Sequence, residues 1–149
     1  MISSLPVKGK KNNQRERFFT YLLIRFNDYT FISKRKSNDI WHSLYEFPLI
    51  ETTAMPTLEE MVNSYEWQDI FSGTTPAIKF ISEKIKHLLS HQAIYTQFVI
   101  VEIDRIPKTI KEKYLKVKTH SVDDYTTPKL IDNFLAAEPA DCLLYTSDA

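Results

Sequence analysis

Lys86-His-Leu-Leu-Ser-His-Gln-Ala-Ile-Tyr95 joins two runs of different character. Upstream, Phe80, Ile85 and Leu88 are scattered through a mixed polar and apolar run. Downstream, Ala93-Ile-Tyr-Thr-Gln-Phe-Val-Ile-Val-Glu-Ile103 is dense in β-branched and aromatic residues and predicts one long strand. Leu89, Ser90, His91 and Gln92 lie between them as a turn, so residues 77–89 and 93–104 become the arms of a hairpin. A hydroxyl and an imidazole at its tip can read a hydrogen-bond pattern on a ligand. The same composition also fits a solvated tip with no ligand.

Outward from the hairpin, Phe18 to Phe26 predicts a strand that is apolar on both faces and therefore central or covered. Asn27-Asp28 supplies a turn, and Tyr29 to Lys34 is expected to pair back as the second arm of another hairpin. Trp41 to Glu46 continues the sheet until Pro48 stops it; Trp41, Tyr45 and Phe47 are expected in the core rather than stacked on a base. Thr57-Leu-Glu-Glu60 has the capping-box pattern, which predicts a helix to about Phe71 that partly buries Leu58, Met61, Val62, Tyr65 and Ile70. Ser72-Gly-Thr-Thr-Pro76 ends it. Pro107 to Tyr114 reads as a basic loop, Tyr114 to Thr119 as a short strand, and Ser121 to Tyr125 as one helical turn. Thr127-Pro128, an N-cap before a first-turn proline, opens a helix through Leu135.

A chain of 149 residues suits one domain with its own core. Nineteen basic residues balance nineteen acidic ones. A domain that binds DNA tightly by itself normally carries a basic excess, so neutrality points to no nucleic acid or to a helper domain whose partner supplies most of the affinity. Only Gly9 and Gly73 are present, which excludes a glycine-rich phosphate loop. The single Cys142 excludes a disulfide framework and any cysteine-built iron–sulfur or zinc site, and a reducing, cytoplasmic setting is expected. No apolar run approaches the roughly 18 residues of a membrane span, and the first residues lack a signal-peptide core. Residues 1–17 set Lys8, Lys10, Lys11, Arg15 and Arg17 against Glu16 and are expected to be a basic linker. Residues 136–149 change character, and Cys142-Leu-Leu-Tyr-Thr-Ser-Asp-Ala149 looks like translated adapter sequence. That tail is expected to be non-native or disordered, leaving 18–135 as the domain.

Lys34-Arg-Lys-Ser-Asn-Asp-Ile-Trp-His-Ser-Leu-Tyr-Glu-Phe-Pro-Leu-Ile-Glu51 has a basic strand end, then Ile-Trp, then Leu-Tyr-Glu-Phe-Pro. This order resembles the Nudix-like C-terminal domain of adenine DNA glycosylases, the MutY family. In that family a Phe-Ser-His-type turn follows at about this distance, and Leu89-Ser90-His91 stands there. Leu5-Pro-Val-Lys8, followed by Arg17-Phe-Phe-Thr-Tyr-Leu-Leu-Ile24, looks like the family's linker running into its first C-terminal strand. The resemblance spans about Leu5 to Leu135. It implies an α+β, Nudix-like fold with a mixed β-sheet packed between helices. It also implies that Met1 is not the start of the whole protein, and that a catalytic half lies upstream.

Nudix hydrolases hold a divalent metal with the glutamates of a G-x5-E-x7-R-E-U-x-E-E-x-G-U box. After Phe47-Pro48 this chain has no leading glycine, no Arg-Glu pair before Glu59-Glu60 and no glycine after them. Capping explains Glu59 and Glu60 better than metal binding. Ser90-His91 has no identifiable third group and no nucleophile elbow. His87 and His91 lack the glutamate and the helix of a zinc motif. Asp123-Asp124 read as caps, and no metal ligands are assigned.

A binding chemistry is better founded. 8-Oxoguanine carries a C8 carbonyl and a proton on N7, so an acceptor becomes a donor; a serine hydroxyl, which donates and accepts, can fit that edge. The resemblance assigns recognition of 8-oxoguanine opposite adenine to Ser90 and His91, with Leu89 as intercalating or packing neighbour and Gln92 beside them. Leu89 replaces the family's aromatic, which leaves hydrogen bonding at the turn but not stacking. His42 and Ser43 stand where relatives often have glycines, implying a different loop. Lys34, Arg35, Lys84 and Lys86 are the candidate phosphate contacts. The expected partners are duplex DNA with 8-oxoguanine:adenine or G:A mispairs, and the N-terminal catalytic domain of the same protein, which flips and excises the adenine. This domain is expected to hold no cofactor, with an iron–sulfur cluster in the missing N-terminal domain, and to have no glycosylase activity alone. Two alternatives stand beside it: a Nudix-type hydrolase of oxidised nucleotides, and a non-catalytic protein-interaction module.

Overall fold

The computed structural model describes residues 15–35 and 39–137. Most of the expected basic linker, all of the tail beyond residue 137 and the end of the Lys34-Arg-Lys36 run lie outside the described residues. Two strands organise the rest. β1 (Arg15–Arg25) and β7 (Gln92–Glu102) lie parallel and in unbroken register, from Arg15 opposite Gln92 to Arg25 opposite Glu102. β4 (Leu49–Thr52) runs antiparallel on the outer edge of β1. β5 (Ala77–Ile81) and β6 (Ile85–Leu88) share the outer edge of β7, both antiparallel to it. A second antiparallel sheet has the order β3 (Tyr45–Glu46), β2 (Tyr29–Lys34), β8 (Leu115–Lys118).

Alternation along β1 and β7 supplies two cores, one on each face of the main sheet. Phe19, Tyr21 and Leu23 with Ile94, Phe98 and Ile100 face the second sheet and α4 (Lys129–Ala137). There Phe134 stacks on Phe98 at 4.0 Å with the rings 4° apart. Leu22 and Ile24 with Val99 and Val101 face the other way, onto α1 (Leu58–Val62), α2 (Tyr65–Phe71) and α3 (Lys108–Lys113). The expected α+β class, with a mixed sheet between helices, is the observed architecture. No helix among the described residues is long and apolar enough to cross a membrane.

Several local expectations are corrected. β1 begins at Arg15 rather than Phe18, so the last three residues of the expected linker are in the sheet. β2 does not pair along β1. Only Phe26 and Tyr29 bridge: β7 lines one edge of β1 along its whole length, β4 takes Phe18–Tyr21 on the other, and β2 pairs with β3 and β8 instead. Residues 41–44 form a turn rather than a strand, and Pro48 redirects the chain instead of ending the sheet: its carbonyl accepts the Leu22 amide at 2.9 Å as β4 begins. The expected single helix over 57–71 is two, because the Ser64 hydroxyl accepts the Trp67 amide at 3.2 Å and starts a second helix. Met61 and Ile70 are buried as expected, whereas Leu58 and Tyr65 are exposed. The expected arm 77–89 is interrupted at Ser82, whose hydroxyl takes the Phe98 amide at 2.8 Å and divides β5 from β6. The expected basic loop 107–114 is α3, turned inward by the fully buried Ile110. The short strand is β8, the helical turn is a 3-10 helix over Thr119–Asp124, and α4 extends to Ala137.

Candidate functional site

The hairpin between β6 and β7 closes tightly. The Leu89 amide donates to the Gln92 carbonyl at 2.8 Å, with a longer return bond of 3.4 Å, so Ser90 and His91 are the two residues of the tip. Both are exposed. The backbone beneath is fixed, because the Arg15 amide of β1 donates to the His91 carbonyl at 3.1 Å. Leu89 packs against the core rather than pointing outward, and Gln92 is half-buried. The expected recognition residues therefore divide into an exposed pair and two supports.

Beneath Gln92 lies a feature that the sequence reading missed. Arg17 is 5% exposed and spends nearly all its donors within the fold. It donates to the Asp39 carboxylate at 2.8 and 2.9 Å, to Glu51 at 2.8 and 2.9 Å, and to Gln92 Oε1 at 3.1 Å. Arg35, expected on a phosphate, is likewise buried: it donates to Glu46 at 2.9 and 3.1 Å, to Asp39 at 2.9 Å and to the Ile40 carbonyl at 3.0 Å. The Tyr21 hydroxyl donates to Glu46 at 2.8 Å. Both guanidinium groups lie near the Phe19 ring, at 5.1 and 5.9 Å from its centroid. One signal was available: Arg17, Phe19 and Tyr21 fall in period two on one strand face, so a charged residue there points the way the core does.

The network polarises its members. Hydrogen bonds from Arg17 hold the Asp39 carboxyl down, from 3.8 to about 2. The Glu51 and Asp39 carboxylates raise Arg17. Burial works against the charge on Arg35, but Glu46 more than restores it. Burial pushes the Glu46 carboxyl up, against the pull of Arg35 and the Tyr21 hydroxyl. Arg35 is thus a structural cation and is unsuited to a phosphate.

Asp39 and Ile40, held by the two arginines, lead into the turn at 41–44. The Leu44 amide donates to the Trp41 carbonyl at 3.0 Å, with Trp41 (φ 56°) and Ser43 (φ 71°) both left-handed. Trp41 is half-buried, edge-on to Phe19 at 6.0 Å, and 6.2 Å from the His87 ring of β6. On the opposite sheet face, Lys86 lies 5.5 Å from the Tyr95 ring. Lys34, Lys84 and Lys86 are exposed. Glu60 is bound in the capping box of α1: its carboxylate accepts the Thr57 amide at 2.9 Å and its own amide donates to the Thr57 hydroxyl at 3.1 Å. Among the described residues no group of three or more His, Cys, Asp or Glu could hold a metal ion. A cavity of about 750 Å³ opens at the other end of β1 and β7. Asp28, Glu102 and Asp104 in its wall make it a poor receptor for a phosphate.

Residues 20–137 match the family model of the NUDIX domain. The chain belongs to the NUDIX domain family. No protein of curated function matches it. Among solved structures, this NUDIX domain is similar to the C-terminal domain of mouse MUTYH, which was crystallised with human PCNA. The TM-score is 0.62 and the identity 10%, covering 82% of this chain and 86% of that one. It is also similar to the MutT protein from Methanosarcina mazei Go1 (TM-score 0.54, 14% identity, 81% and 91% covered). The E. coli ORF135 protein is a third (TM-score 0.57, 11% identity, 87% and 95% covered). At these identities the likeness is one of fold.

Proposed function

We propose that this NUDIX domain is the lesion-recognition domain of an adenine DNA glycosylase, reading 8-oxoguanine opposite adenine through Ser90 and His91. The observation that carries the proposal is the closed hairpin tip, which offers a hydroxyl and an imidazole to solvent on a backbone tied to β1. The backbone bonds at Leu89–Gln92 and Arg15–His91 hold the tip in place from the β7 side, which lowers the ordering cost of binding. The hydroxyl can accept the N7 proton and donate to O8, a pattern guanine does not offer. The engagement of Glu60 in a helix cap supports recognition over nucleotide hydrolysis. The balanced charge of the chain fits a domain that refines specificity while a catalytic partner domain supplies affinity. Similarity in fold to the mouse MUTYH domain is consistent with this role. Lys34, Lys84 and Lys86 remain the phosphate contacts in this reading, without Arg35.

The test is equilibrium binding of the chain to duplexes carrying 8-oxoguanine:adenine or guanine:adenine at fixed low salt. The expected preference for the lesion is about 1–3 kcal/mol, the worth of one good base-edge contact. The Ser90→Ala/His91→Ala variant should bind both duplexes equally. A preference of the same size in the variant, or none in the wild type, would reject the assignment. Release of pyrophosphate from 8-oxo-dGTP with magnesium would instead favour the hydrolase.

A further inference from the structure

From the turn at 41–44 we infer a second nucleic-acid contact: Trp41, backed by His87, is a stacking platform for an unpaired nucleobase about three steps from the one read at the hairpin tip. This rests on the nucleic-acid reading of the tip, but it is carried by different residues. Three observations converge on it.

The first is conformational. Trp41 and Ser43 both hold φ values that L-residues avoid, 56° and 71°, within three residues of each other. Such strain persists only where the surroundings over-determine it, and it collects at functional sites. The second is the device that over-determines it. Asp39 accepts hydrogen bonds from two buried arginines and from the Ile40 amide at 2.7 Å, and Arg35 also takes the Ile40 carbonyl. The residue immediately before Trp41 is therefore held at both its amide and its carbonyl. Trp41 packs against the core on one side, as its type leads one to expect, while this device fixes the backbone that carries it.

The third is the way the indole is exposed. Three ring pairs in this domain lie face to face, Phe98 on Phe134 at 4°, Phe18 on Tyr95 at 15° and Tyr21 on Phe98 at 23°, while Phe19–Tyr21, Tyr45–Tyr125 and Trp67–Phe71 meet at 87°, 62° and 50°. The two ring neighbours of Trp41 meet it at 74° and 57°, and no ring among the described residues lies parallel to it. Trp41 packs against the core yet stays half-buried with no ring stacked on it, so the exposed part of the indole can take a base, and such stacking is tolerant of sequence because every base has a π-face. Its position suits a base a few steps away on the same nucleic acid. His87 lies three residues before Ser90, roughly 10 Å along a strand. That is about three base steps of roughly 3.4 Å along a nucleic acid strand.

The chain has two tryptophans, and Trp67 is 4% exposed within the opposite core, so a ligand-dependent change in emission reports Trp41. The experiment titrates the full chain with the 8-oxoguanine:adenine duplex and with a single-stranded oligonucleotide of the same sequence, following tryptophan emission and fluorescence anisotropy together. Wild type should be quenched as it binds. Trp41→Phe, which keeps a ring against Phe19, should lose the quenching, and Trp41→Ala should weaken binding about five-fold or more. The Ser90→Ala/His91→Ala variant should still be quenched. Binding without quenching, or unchanged affinity in Trp41→Ala with its circular dichroism intact, overturns the platform and leaves the tip standing. Quenching without lesion preference does the reverse. Absence of binding to either nucleic acid overturns the platform, while the tip is judged on its own duplex comparison.

Discussion

Single residues here take conformations and partners that their types do not favour. Ser43 sits at φ 71° in the turn closed by the Leu44 amide. A glycine is free of that strain, whereas a β-branched side chain is not. Ser43→Gly should therefore leave the urea midpoint unchanged or slightly higher, and Ser43→Val should lower stability by at least about 1 kcal/mol. Equal midpoints for the two variants would argue that the turn relaxes. Asp39 makes a second prediction, in pH. Its carboxyl is depressed from 3.8 to about 2, so its contribution is complete above about pH 4 and is lost as the pH falls through 2. A shift of that size is worth up to about 2 kcal/mol. Urea unfolding between about pH 4.5 and about pH 2, the window set by that shift, should show a shallower decline for Asp39→Asn than for wild type. Parallel curves would show that Asp39 draws no stability from its arginines. Arg35→Met should cost about 3–5 kcal/mol by leaving Glu46 buried without its cation, and adding Glu46→Gln should recover part of the loss. None of these partnerships was legible from the residues, since Arg17 and Asp39 meet across 22 positions.

At the scale of elements, local signals were read well where the chain itself satisfied them. The capping box at Thr57 and Glu60 formed as the spacing implied. What local pattern could not show is which of two satisfactory caps ends a helix. Ser64 fits within a continuing helix as well as at a start, and only the inward turn of Trp67, Ile70 and Phe71 chose the start. Ser64→Ala should cost about 1 kcal/mol through loss of that cap, read from the urea midpoint; a cost near zero would mean that packing alone sets α2. α4 closes one face of the sheet through Phe134, which is 7% exposed and stacked on Phe98. Phe134→Ala should lose about 3–5 kcal/mol, measured by the same unfolding curve. A loss below about 1 kcal/mol would mean that the cavity collapses or that α4 contributes little to the core.

At the scale of the whole molecule, the parallel β1–β7 pair is the frame, and both candidate contacts depend on it. The tip extends the start of β7, while Trp41 is held through Arg17 on β1 and Arg35 just after β2. The central amides of β1 and β7 should be the last to exchange with solvent, and those of β6, an edge strand with Leu88 61% exposed, among the first. Equal protection of the two groups would contradict a frame-and-edge division of stability. The residues alone pointed to strands over Phe18–Phe26 and Ala93–Asp104, the first covered on both faces because its apolar residues fall on both, the second from its β-branched and aromatic density. They also determined the hairpin tip at Ser90-His91, because its polarity and the strand that follows are local properties. Tertiary structure decided the rest. β2 paired with β3 and β8 rather than folding back along β1, and Arg35 turned inward onto Glu46 and Asp39. Trp41 was held in a strained turn because two buried guanidinium groups fixed the residues before it. Arg17 meets Asp39 and Glu51 across 22 and 34 positions, so no short window holds those partners; Arg35 lies only four residues from Asp39 and eleven from Glu46, but nothing local shows that these side chains turn inward together.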